Sequence, residues 1–184
     1  MTQFEYVSVL LSIVVSLALA HLLIGIAKII KVGVSRWSIP LLGWIGCMAF
    51  LCVDYWISNW HAHAEPLWSL GFVCFLLFSG AVLFVTCWLV MPEIEGTEAI
   101  DLAAYHAANR RKYLSTLLIY FCLSVIVNQL LPGFQSPTML LISGASIALL
   151  VSAWIWKSHA VQVGAVVGIY LLMGWYAVMF IPAL

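Results

Sequence analysis

Asp54, Ser58 and His61 are spaced four and three residues apart, so on a helix they share one face. Glu65 extends that face if the helix continues to Pro66. A carboxylate, a hydroxyl and an imidazole in one row have the chemistry to hold a cation or pass a proton. The row sits in an apolar stretch, where an ionised carboxylate is costly and has to be met by a partner or by water. Asp54 stands six residues before Trp60, ~9 Å along a helix. Asn128 and Gln129 fall at a comparable depth in a later apolar stretch, and Glu5 and Ser8 lie at the start of the first. Together these groups predict an outward-facing polar vestibule around Asp54. The alternative is an Asp54 that is protonated or only hydrogen-bonds between helices.

Other polar residues carry weaker patterns. His61, His63 and Glu65 offer nitrogen and carboxylate ligands that suit zinc or copper, but His61 and His63 diverge if the segment is helical. A haem held by two histidines needs both at one depth on different helices, and His21 and His159 do not match in depth. The cofactor is therefore left open, with none strongly implied. His21, Gly25 and Lys28 share a face, with His21 as a core hydrogen-bonder or a proton relay. Cys47, Cys52, Cys74, Cys87 and Cys122 form no Cys-x-x-Cys pair and read as small apolar packing residues. The chain carries no Gly-x-Ser-x-Gly elbow, P-loop, His-Glu-x-x-His or dinucleotide fingerprint, so an enzyme is not expected.

The elements that must position these residues follow from composition. Of 184 residues 65% are hydrophobic, and only seven are basic and seven acidic. A soluble domain carries about a quarter charged residues, and a soluble chain of this size cannot hide so much apolar surface. Nucleic-acid binding requires a basic face that is missing here. The expected fold is an all-α integral membrane protein, a single six-helix domain over residues 1–184 with no soluble domain. The predicted spans are 4–30, 39–59, 68–90, 113–131, 138–156 and 160–181, each near the ~20 residues a helix needs to cross a bilayer. Continuous apolar runs, without the alternation of barrel strands, argue against a β-barrel. The first run has no basic leader and is too long for a signal peptide, so it is expected to be retained.

Lys28, Lys31, Arg36, Arg110, Arg111, Lys112 and Lys157 all fall in or beside the connections after spans one, three and five. The positive-inside rule makes those connections cytoplasmic and puts both termini outside. Trp37, Trp88, Trp154 and Trp156 then mark the inner boundary, and Trp56, Trp60 and Trp68 the outer one.

The amphipathic connection 91–112 opens with Glu93, Glu95, Glu98 and Asp101 and closes with Arg110, Arg111 and Lys112. Thr97 is positioned to cap a helix with Glu98 in its first turn. The basic triplet either anchors the membrane boundary or docks anionic lipid head groups or a partner protein. Small residues recur every four positions: Ser8, Ser12, Ser16 and Ala20, then Gly144, Ala148 and Ser152, then Gly164 and Gly168. Such faces allow close helix approach within the bundle or between copies, so a homo-oligomer or a membrane partner is expected. A serine-lined pore along span one is the alternative, although serines can also bond the preceding carbonyls. The pattern around Tyr6, Ser8 and Leu10 resembles that around Tyr113, Ser115 and Leu117, as an inverted repeat would.

The opening Phe4-Glu5-Tyr6-Val7-Ser8-Val9-Leu10 and the segment Tyr105-His106-Ala107-Ala108-Asn109-Arg110-Arg111 resemble a family of small, uncharacterised bacterial polytopic membrane proteins. The resemblance implies a bacterial inner membrane and no particular activity. The leading expectation is a channel or transporter-like unit with its vestibule at Asp54. The alternatives are a non-catalytic structural or partner-binding membrane subunit and a metal- or haem-binding redox subunit.

Overall fold

The computed structural model describes residues 3–61, 69–94, 96, 98–130 and 136–180. They form helices α1 (Gln3–Val32), α2 (Ile39–His61), α3 (Leu70–Val90), α4 (Leu102–Leu130), α5 (Pro137–Ile155) and α6 (His159–Phe180). Two short strands, β1 (Val34–Arg36) and β2 (Ile100–Asp101), pair in parallel. All six helices are long and apolar enough to cross a membrane.

The helices lack the two-faced character of helices in soluble proteins. On α1, Leu11, Val15, Ala18 and Leu22 are buried at spacings of four, three and four. The opposite face carries Val9, Ile13, Leu17, Leu23 and Ile24, which are exposed. A helix that is apolar all round needs an apolar surrounding on its outer side, as lipid provides.

Neighbouring helices close into a ring in the order α1, α2, α6, α5, α4, α3, and α2 also leans across to α3 and α4. Lys28 and Lys31 end α1, Arg110–Lys112 lie early in α4, and Lys157 joins α5 to α6, so the basic residues gather at one end of the bundle. Buried hydroxyls are satisfied within their own helices: Ser79 donates to the Phe75 carbonyl at 2.9 Å, Thr86 to Val82 at 2.8 Å and Ser146 to Ile142 at 2.8 Å. These bonds remove any need for water around them.

The connection between α3 and α4 differs from the sequence expectation. Thr97 lies outside the described residues, and Glu98 precedes the helix rather than occupying its first turn. The observed cap is Asp101, whose Oδ1 accepts from the Ala104 N–H at 2.8 Å. Ile100 is held extended by pairing with β1, its N–H bonding the Gly33 carbonyl at 3.1 Å, so the helix cannot begin earlier. Gly33 makes this possible by turning the chain with φ 85°, a conformation that suits glycine. From Leu102 onward α4 runs unbroken into the predicted fourth span, with no Gly or Pro along its 29 residues. At ~44 Å it is longer than the ~30 Å core of a bilayer.

Candidate functional site

At the end of the bundle opposite the basic residues, α2 to α6 draw apart around a cavity of about 120 Å³. The walls come from the last turns of α2, α4 and α6 and the first turns of α3 and α5, as an up-and-down ring requires. Asp54, Ser58 and Asn59 enter from α2, Ser79 from α3, Ser124 and Asn128 from α4, Ser143 and Ser146 from α5, and Tyr176 from α6. Phe50, Tyr55, Phe72, Tyr120 and Phe121 complete it with aromatic surface. Asp54 contributes the only charge among these lining residues.

The carboxyl of Asp54 is asymmetrically served. Tyr176 and Ser58 are its side-chain hydrogen-bond partners. Its Oδ1 is buried without a partner. A buried acceptor with no donor is unfavourable by about 1–3 kcal/mol, and more for a charged group, unless an occupant meets it. Two neighbouring polar groups are already engaged. The Tyr55 hydroxyl donates to the Leu76 carbonyl at 2.6 Å, and the Asn59 amide donates to the Tyr55 carbonyl at 2.6 Å.

Toward the basic end the same helices pack shut. Trp44, Leu83, Tyr113, Leu114, Leu117, Leu150 and Ile169 are each 0 or 1% exposed. The cavity therefore ends inside the bundle instead of running through it.

Of the residues expected to surround Asp54, Ser58 and Asn128 line this cavity with it. Gln129, the next residue on α4, is exposed and points off the wall. Glu5 and Ser8 are also off the wall, because α1 packs outside it and contributes no lining residue among those described. The Ser8 hydroxyl instead donates to the Glu5 carbonyl at 3.0 Å. His61 is the last residue of α2, while His63 and Glu65 lie outside the described residues. Among the described residues no three His, Cys, Asp or Glu side chains gather as a metal set. His21 is elsewhere, stacked on Trp88 of α3 with ring centroids 4.1 Å apart.

The docking triplet is also divided. Arg110 is 3% exposed and turns into the bundle, where its guanidinium bonds carbonyls at the end of α5. The carbonyls meet Nη1 and the negative end of the helix dipole faces the charge, while Nη2 is buried without a partner. Arg110 is thus not part of a docking surface. Arg111 lies 5.0 Å over the Trp154 ring and Lys112 bonds the Asn109 carboxamide at 3.0 Å; both remain exposed.

The small residues separate in the same way. Gly168 faces Leu149, and a Cβ there would come within 2.7 Å of Leu149 Cδ1. Ser12 accepts from the Trp56 indole N–H at 3.2 Å, joining α1 to α2. Gly144 and Gly164 face open space, and Ser16 is exposed. The sequence reading missed Gly43 and Gly46, whose added Cβ atoms would collide with Val166 and Tyr170 of α6. It also missed the contact between Cys52 and Cys87, whose Sγ atoms are 3.7 Å apart.

No protein-family model, curated protein or solved structure matches the chain.

Proposed function

We propose that the chain is an integral protein of a bacterial inner membrane, with six spans and both termini outside. In this reading the cavity is the outward-facing cation- or proton-binding site of a transporter-like unit, and Asp54 is its binding group. The observation that carries the reading is the unpartnered Oδ1 of Asp54 in a cavity ringed by hydroxyls and amides. An ionisable group held within a span is maintained by selection against its cost, and binding or proton relay is its usual use. The orientation is supported by seven of seven basic residues falling on one side of the predicted spans. The closed packing beneath the cavity favours a carrier that opens to one side at a time over a continuously open channel.

Flux measurements on purified protein in liposomes test this reading. Cation- or proton-coupled flux should depend on Asp54, and Asp54→Asn should abolish it while helix content and particle size are retained. Undiminished flux in that variant, or no flux of any kind from the native protein, would overturn the reading and leave a structural or partner-binding subunit.

A further inference from the structure

We infer, resting on the proposed cation site at Asp54, that its occupant is a small organic ammonium ion and not a bare metal ion. The charge balance comes first. Among the described residues a single carboxylate lines the cavity, and it matches one positive charge. A bare ion entering this cavity has to give up its water, and beside the one carboxylate the lining offers it only neutral hydroxyls and amides. An alkylated ammonium is weakly hydrated, and its methyl groups belong against apolar surface.

The walls supply the second half of the match. Tyr55, Phe72, Tyr120, Phe121 and Tyr176 enter from four different helices. Tyr55 and Tyr120 have ring centroids 6.5 Å apart and are tilted by 54°, and Tyr120 meets Phe121 at 6.1 Å and 89°. Rings set at such angles make corners of a box and not a flat stack. An aromatic box around a positive charge is the arrangement that recognises quaternary ammonium groups. Size agrees as well. At about 120 Å³, the space is slightly below the ~150 Å³ that accepts benzene in a protein interior, so about five or six non-hydrogen atoms fit.

Calorimetric titration of the full-length protein in detergent micelles or nanodiscs tests this, with tetramethylammonium chloride as the probe and sodium and potassium chloride as comparisons. Tetramethylammonium should bind saturably and more tightly than either metal ion. Binding should be lost in Asp54→Asn and weakened about fivefold or more in Phe121→Leu, which keeps apolar volume but removes the ring. Should Asp54→Asn not fold, acidification of the native protein replaces it: protonating the carboxylate should release the probe reversibly. Sodium, potassium or proton binding that depends on Asp54 and is not displaced by tetramethylammonium overturns the organic-cation assignment and keeps the cation site. No binding of any of these ions, or binding unchanged in Asp54→Asn, overturns both.

Discussion

Arg110 Nη1 on α4 donates to the backbone carbonyl of Trp154 on α5 at 3.0 Å. The same nitrogen also bonds the carbonyls of Ala153 and Trp156. Gln162 of α6 reaches the same place, its amide donating to the Trp156 carbonyl at 2.7 Å. One turn of unsatisfied carbonyls thereby fastens three helices at the basic end of the bundle. Arg110→Ala should remove charge-assisted bonds worth about 1.5–3 kcal/mol each and expose the carbonyls unpaired in a buried place. The expected result is a thermal midpoint lower by at least several degrees in detergent, with partial recovery in Arg110→Lys, whose single nitrogen can meet the carbonyls that Nη1 meets but is a more strongly hydrated ion. Arg111→Ala, at an exposed position, should shift the midpoint far less. Equal effects at the two positions would remove Arg110 from its structural role.

Gly164 and Gly168 sit one turn apart on α6 and should respond in opposite ways. Gly168→Ile forces a side chain against Leu149 and should destabilise the monomer by roughly 1–3 kcal/mol or more. Gly164→Ile meets open space and should leave monomer stability unchanged. If the outward small-residue face joins copies of the chain, Gly164→Ile should lower the oligomeric fraction seen by mass photometry or light scattering. An unchanged distribution would mean that this face is covered by lipid.

Much of the fold was legible in the sequence because apolar length alone specifies six helices. The start of α4 was not. Charged residues at 93–112 suggest a connection separate from span four, yet residues 102–112 are rich in good helix formers and contain no breaker. The β1–β2 pairing was unreadable because strands of three and two residues carry no alternation to detect. At the site, Asp54 and Ser58 could be joined by helical spacing, and Asn128 by depth. Tyr176, Ser124, Ser143 and the aromatic walls could not, since their meeting depends on the ring order of the helices. Small-residue faces occur on several helices, so they do not specify which pairs touch. The indoor position of Arg110 was hidden for a related reason. A basic triplet reads as one patch until the neighbouring helix end is known.

Orientation has a direct check. A cysteine introduced at Ala64 should react with a membrane-impermeant thiol reagent in intact cells, and one at Ala108 should be protected until the cells are opened. Ala108 is exposed on the first part of α4, so protection there reports the membrane and not burial in the protein. The reverse pattern would place the Asp54 cavity on the cytoplasmic side.

Asp54 offers a test in which stability and binding move apart. Its Oδ1 is buried without a partner, so the side chain is a local disadvantage to the empty fold. Asp54→Asn keeps the shape and removes the charge, and the empty variant should be as stable as the native protein or slightly more so. The native protein should gain stability from a bound cation, by about 2.7 kcal/mol at a hundredfold excess over Kd, and the variant should gain nothing. Asp54→Leu should also lose the ligand effect, but it deprives Tyr176 and Ser58 of a hydrogen-bond partner. Its midpoint should therefore fall below that of Asp54→Asn. Thermal unfolding with and without tetramethylammonium or potassium gives all three comparisons in one experiment. A purely structural carboxylate predicts a different pattern: Asp54→Asn would lower the midpoint of the empty protein by several degrees, and added cations would shift no variant, the native protein included. That result would remove the basis for a binding site at the outer end of the bundle.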